Sequence, residues 1–164
     1  MVNIMKKKNI ILFLTILICF VIDQGMKAFI TTSMSLADSI QIIRNFIRIT
    51  YVQNIGAAWS IFAGNSILLI GIGILSCIFV FLFYRKYNQK NSILFGILLG
   101  GILGNLIDRI RYGYVIDYID MNFGNYQYPI FNIADIFIVI SVLILCYKMW
   151  KEEEDDHSNR RKSK

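Results

Sequence analysis

The chain has 164 residues, 56% of them hydrophobic, a formal net charge of +6, a mean hydropathy of +0.56, three cysteines and one histidine. Apolar usage above the roughly 45–50% of soluble domains puts the chain in a bilayer, and the basic excess has no aromatic-interleaved patch that would suit nucleic acid. Cys19, Cys77 and Cys146 fall in different apolar runs with no C-x-x-C spacing, and His157 lies in a charged tail, so metal, disulfide and thiol chemistry are excluded together.

Crossing about 30 Å of hydrocarbon takes around 20 helical residues. The first run long enough, 9–31, follows Lys6, Lys7 and Lys8. Positive charge before an apolar run also opens signal peptides, but this run outlasts a signal core and three more follow, so it reads as a retained span. Next comes an outer segment, 37–63, with period-2 alternation: Ile47, Ile49, Tyr51 and Gln53 on one face, Arg48, Thr50 and Val52 on the other. Asn54 to Gly56 supply a turn, and Ala57 to Phe62 return as a second short strand, giving a small sheet with Tyr51, Trp59 and Phe62 at headgroup depth. Alternation of this kind serves either an ordinary interfacial loop or a platform for an extended peptide.

Spans at 66–84, 92–112 and 130–150 complete the apolar plan. In the third, Gly96, Gly100 and Gly104 form a four-spaced stripe that lets another helix approach closely and turns Asn105 and Asp108 inward. Residues 151–164 alternate a block of acid with a block of base and are expected to be a disordered, charged cytoplasmic tail. The fold class is therefore membrane all-α: residues 1–150 form one domain of four transmembrane helices with a small extracytoplasmic β-sheet and an outer loop or short helix above it. Twelve of the seventeen basic residues flank the same ends of the spans, which puts both termini in the cytoplasm and anionic lipid headgroups within their reach.

Five of the eleven acidic residues are in the tail; the rest are Asp23, Asp38, Asp108, Asp117, Asp120 and Asp135. At 1.5 Å per residue, Asp23 rises about 21 Å along the first span, Asp108 about 24 Å along the third, and Asp135 lies about 7 Å below the outer end of the fourth. Their convergence in the outer third requires that they face inward, paired or partly wetted. Asp23 and Lys27, four apart, share a helix face and can pair. Asp117 and Asp135 have no basic partner at helical spacing. Two carboxyls brought together in a poorly solvated place hold one proton between them, the state in which one takes a proton from water and the other serves the amide being split. Spacing alone lets Asp120 replace Asp117. The same buried acids also suit a proton relay in a small carrier or channel subunit, although no repeat joins the halves.

Five blocks occur in order: DQGMK from Asp23, NIGAAWS from Asn54, GILGNLIDR ending at Arg109, VIDYID from Val115 and FNIAD ending at Asp135. Together they resemble the bacterial lipoprotein signal peptidases, or signal peptidase II, over roughly residues 9–150. The resemblance implies an intramembrane aspartic endopeptidase of the bacterial plasma membrane, with its active site on the extracytoplasmic side and no cofactor. Its substrates would be diacylated prolipoprotein signal peptides, cut before the lipid-bearing cysteine, and it would act as a monomer among membrane lipids and be a target of globomycin. It selects Asp117 and Asp135 as the catalytic pair and leaves Asp120 in support. Asn54, Gly56, Asn105, Arg109 and Asn132 become substrate-binding or dyad-positioning residues, and Asp23 and Lys27 shape the site. The resemblance further implies an outer sheet and a mobile outer segment over the cleft, at 37–63 and 118–129. Tyr118, where phenylalanine is usual, and Trp59 depart from the pattern without touching the chemistry.

Overall fold

The glycine stripe determines how the helices meet. The computed structural model describes residues 2–57, 61–87, 90–124 and 126–162, with the side chains of 5–155 within those ranges. Helix α3 (Ser92–Tyr112) is the hub on which α1 (Val2–Ser33), α2 (Ser66–Lys86) and α4 (Ile133–Lys162) all pack. A Cβ added at Gly96 would lie 2.6 Å from the Thr15 side chain, and one at Gly100 2.7 Å from that of Cys19, so only glycine admits α1 this closely. At Gly104 it would meet the Asp23 carboxylate, and at Gly101 it would come within 2.6 Å of the Ala134 carbonyl of α4. The most apolar stretch of α3 is 56% buried against 11–17% for the other three, which turn much of their apolar surface outward as lipid-facing spans do. Helices α2 and α4 lean on α3 but make little contact with each other. Between them runs a groove of about 620 Å³ lined by residues that include Leu69, Gly73, Phe79, Asn105, Arg109 and Ile138.

All four spans occur, with shifted ends. The first helix begins at Val2 and the fourth at Ile133 rather than 130, because Asn132 caps it. The charged tail, expected to be unstructured, continues α4 to Lys162. At that end Glu152 accepts from Lys90 Nζ at 3.3 Å and from the Tyr87 hydroxyl, and Lys148 Nζ donates to Asn91 Oδ1 at 3.0 Å, tying the extension to the α2–α3 connection.

The sheet differs most from expectation. Strand β2 (Ile47–Asn54) forms where the alternation placed it, but Ala57 to Phe62 do not return beside it. Ala57 is in a bend, its N–H bonded to the Ile61 carbonyl at 2.8 Å, Ile61 to Gly64 form a turn, and 58–60, with Trp59, lie outside the described residues. The partners of β2 are β1 (Ser39–Ile43) on one side and β3 (Val115–Phe123) on the other, and β4 (Tyr126–Gln127) completes an antiparallel sheet in the order β1-β2-β3-β4. Much of the segment expected to be a mobile cover, 118–129, is thus the second half of β3 and its hairpin, and the described parts of 37–63 and 118–129 contain no helix. Ile30 and Met34 at the end of α1 pack with Tyr51, Ile116 and Tyr118 and seat the sheet on the bundle. Gly113, at φ +81°, ends α3 with its N–H on the Arg109 carbonyl at 3.0 Å, so β3 starts two residues later and brings Asp117 directly above α3.

Candidate active site

The block FNIAD is a capping box. Asn132 Oδ1 accepts from the Asp135 N–H at 3.1 Å, and Asp135 Oδ2 accepts from the Asn132 N–H at 3.1 Å, so each satisfies the other's backbone donor at the start of α4. That reciprocity fixes the Asp135 carboxylate, whose other oxygen accepts from Asn105 Nδ2 at 2.7 Å. Asn132, fully buried, has its side-chain amide left to give, and it donates to Asp117 Oδ1 at 2.7 Å and to Asn105 Oδ1 at 3.0 Å.

Asp117 is supplied by β3. Its other oxygen accepts from Asn54 Nδ2 at 2.8 Å, and Asn54 Oδ1 accepts the Gly56 N–H at 2.9 Å, so the turn after β2 reaches the acid through one side chain. The Gly56 carbonyl accepts from Arg109 Nη2 at 3.0 Å, while Arg109 Nη1 reaches the Asn105 carbonyl at 3.3 Å and Nε is buried with no partner among the described residues. Burial, and after it the Asp135 charge, push the Asp117 carboxyl up to about 7, against the pull of its bonds from Asn54 and Asn132.

Beneath the pair lies a charged floor. Lys27 Nζ sits 2.9 Å from Asp23 Oδ2, 2.8 Å from Asp108 Oδ2 and 3.0 Å from Asn105 Oδ1, so each of its three protons has an acceptor. Lys27, Asp23 and Asp108 are all almost completely buried, where a charge persists only when paired. The Asp23–Lys27 pair expected from spacing is therefore a three-member cluster joining α1 to α3. Asp108 Oδ2 also accepts the Ile116 N–H at 3.3 Å, which fixes the start of β3.

The structure brings Asn54, Gly56, Asn105, Arg109, Asp117, Asn132 and Asp135 into one hydrogen-bonded network, with Asp23 and Lys27 attached through Asn105. Asp120 stands apart. Its register partner is Arg48, and its Oδ2 accepts from Arg48 Nε at 2.9 Å and Thr50 Oγ1 at 3.0 Å. Two contributors escaped sequence reasoning. Gln24 Nε2 donates to Asp108 Oδ1 at 2.9 Å and Asp23 Oδ2 at 3.1 Å, and its place inside DQGMK was the available signal. The Tyr118 hydroxyl accepts the Ile133 N–H at 3.3 Å and stays protonated, burial pushing it up to about 12. A cleft of about 480 Å³ opens over Asp117, walled by Asn54, Ala57, Asp117, Gln127, Tyr128 and Pro129. Two carboxyls bridged by one asparagine, one of them beside such a cleft and poised near neutrality, have what acid–base hydrolysis of an amide requires.

Comparison with known proteins finds relatives over most of the chain. The family model described as signal peptidase (SPase) II matches residues 15–151. A lipoprotein signal peptidase of Halothermothrix orenii is 38% identical over 87% of this chain and 97% of its own, and one of Staphylococcus epidermidis is 42% identical over 90% and 95%. A bacterial membrane enzyme solved by the in meso method at 2.3 Å superposes with a TM-score of 0.81 at 35% identity, covering 88% of this chain and 90% of that one. A second, solved at 1.9 Å, gives 0.75 at 36% identity, with 84% and 91% covered.

Proposed function

This chain belongs to the signal peptidase II family and is an aspartic peptidase of the membrane, and from that premise we propose that Asp117 and Asp135 remove signal peptides from diacylglyceryl-modified prolipoproteins by cutting before the lipid-bearing cysteine. The observation that carries the assignment is Asn132, which bonds both carboxylates. The pair holds one proton. The charged acid takes a proton from water as the oxygen attacks the scissile carbonyl, while the protonated acid donates to the carbonyl oxygen. Collapse of the tetrahedral intermediate breaks the C–N bond, and the proton taken from water passes to the leaving cysteine amine. Arg109 Nε, buried without a partner among the described residues, is a donor available to a substrate carbonyl.

The substrate is a membrane helix, so it enters sideways. The groove between α2 and α4 leads to Asn105 and Arg109 and suits the apolar core of a signal peptide. The basic residues at the other end of the bundle support a cytoplasmic position for that end, with the sheet and acid pair outside. Residues 1–150 act as one domain, and one copy suffices, because a single chain supplies every side chain of the network. The test is cleavage of a purified diacylated precursor followed by its shift on a gel. Asp117→Asn and Asp135→Asn should each fold and each lose cleavage, whereas substantial turnover by either would reject the pair.

A further inference from the structure

One cavity beside the acid pair is almost wholly apolar. About 280 Å³ in volume, it is walled by residues that include Phe123, Phe131, Ile136, Val139 and Ile140, and its charged member is Asp135. Helical spacing explains why Asp135 stands where it does. Ile138 and Val142, three and seven residues on, line the α2–α4 groove, whereas Ile136, Val139 and Ile140 line the apolar pocket. Asp135 thus heads α4 at the ridge between two cavities. Tyr128 walls both the pocket and the cleft that holds Asp117, so the two cavities lie on either side of one side chain. Val139 and Ile140 are 55% and 51% exposed on the outer side of α4, which leaves the pocket open toward lipid.

We propose that this pocket takes an acyl chain of the diacylglyceryl group on the substrate cysteine. The inference rests on the function proposed above and adds the part of the site that reads the lipid. The modified cysteine immediately follows the cut, so its lipid starts within one residue of the carboxyl pair. A signal-peptide helix in the α2–α4 groove occupies one side of Asp135, and the apolar pocket is the cavity on the other side. An acyl chain can slide into it from the bilayer without crossing polar surface, and its burial there draws the scissile bond up to Asp135. Val139 and Ile140 then set how much chain is accommodated.

The test uses purified enzyme in micelles and one synthetic precursor peptide carrying either a long-chain or a short-chain diacylglyceryl cysteine. Wild type should favour the long chain. Ile140→Trp fills the pocket and should raise KM for the long-chain precursor about tenfold with kcat little changed, and the short-chain precursor should suffer less. Val139→Ala, a milder change, should shift the long-to-short ratio in the opposite direction. Leu75→Trp in the α2–α4 groove should slow both precursors alike. A wild-type ratio in both Ile140→Trp and Val139→Ala overturns the pocket assignment, and Val139→Ala alone decides if the tryptophan variant does not fold. A wild-type enzyme that cuts neither precursor sinks the parent function instead.

Discussion

Asp117 and Asp135, on a strand and a helix eighteen residues apart, are held by the same residue: Asn132 donates from its side-chain amide to Asp117 at 2.7 Å and from its backbone to Asp135 at 3.1 Å. Asn132→Ala removes both the link and the helix cap. It should lower cleavage about 100-fold through misplacement of the acids and cost about 1 kcal/mol as a lost cap. Asn132→Asp keeps the cap but sets a third carboxyl beside the pair, so thermal unfolding should stay closer to wild type while cleavage is still lost. Equal behaviour of the two variants in both assays would argue against this double role.

Register separates Asp117 from Asp120. Asp117→Asn should depress cleavage at least about 100-fold, whereas Asp120→Asn should retain most of it. The Arg48–Asp120 bridge is 2.8 Å long, but Arg48 is 38% exposed, so loosening it should cost no more than about 1 kcal/mol. Gel-based rates and unfolding midpoints measured side by side decide the matter.

Lys27→Met leaves Asp23 and Asp108 buried with no cation. Breaking a buried ion cluster from one side costs about 3–5 kcal/mol, so the variant should unfold at clearly lower temperature in micelles and lose cleavage as Asn105 drifts. A midpoint within error of wild type would mean that the two aspartates are not both charged.

The Asp117 carboxyl stands near 7 instead of its ordinary 3.8. Because its folded value is raised, the stability it contributes is complete below that ordinary value and disappears as pH climbs through about 7. Wild type should therefore lose stability relative to Asp117→Asn over that interval, and cleavage should decline above about pH 7 as the shared proton departs. Cleavage that keeps increasing through the alkaline range would contradict a one-proton pair.

Tyr118→Phe restores the residue usual in the resembling family and strips the Ile133 N–H of its acceptor. A loss of about 0.5–1.5 kcal/mol is expected, with cleavage preserved, checked by unfolding midpoint and rate.

The four spans and the polar floor were legible because long apolar runs and i,i+4 charge pairs are local signals. Strand β3 was not. Val115 to Tyr118 are buried without alternation, and a strand covered on both faces loses the period of two that marks β2. With β3 unseen, β2 was given a partner in Ala57 to Phe62, and nothing in the spacing of VIDYID separated its two acids. Their division shows in pairing between strands distant in sequence, Arg48 opposite Asp120 and Val52 opposite Asp117. The resemblance selected Asp117, but the physical reason, that residues three apart on one strand face opposite sides of the sheet, could be applied only once β3 was known to be a strand.

The reciprocal bonds between Asn132 and Asp135 begin a helix and aim a reactive group with the same atoms. A replacement there that cannot cap therefore loosens the first turn of α4 and misaims the carboxyl in one step, so the helix start and the chemistry cannot drift independently in evolution.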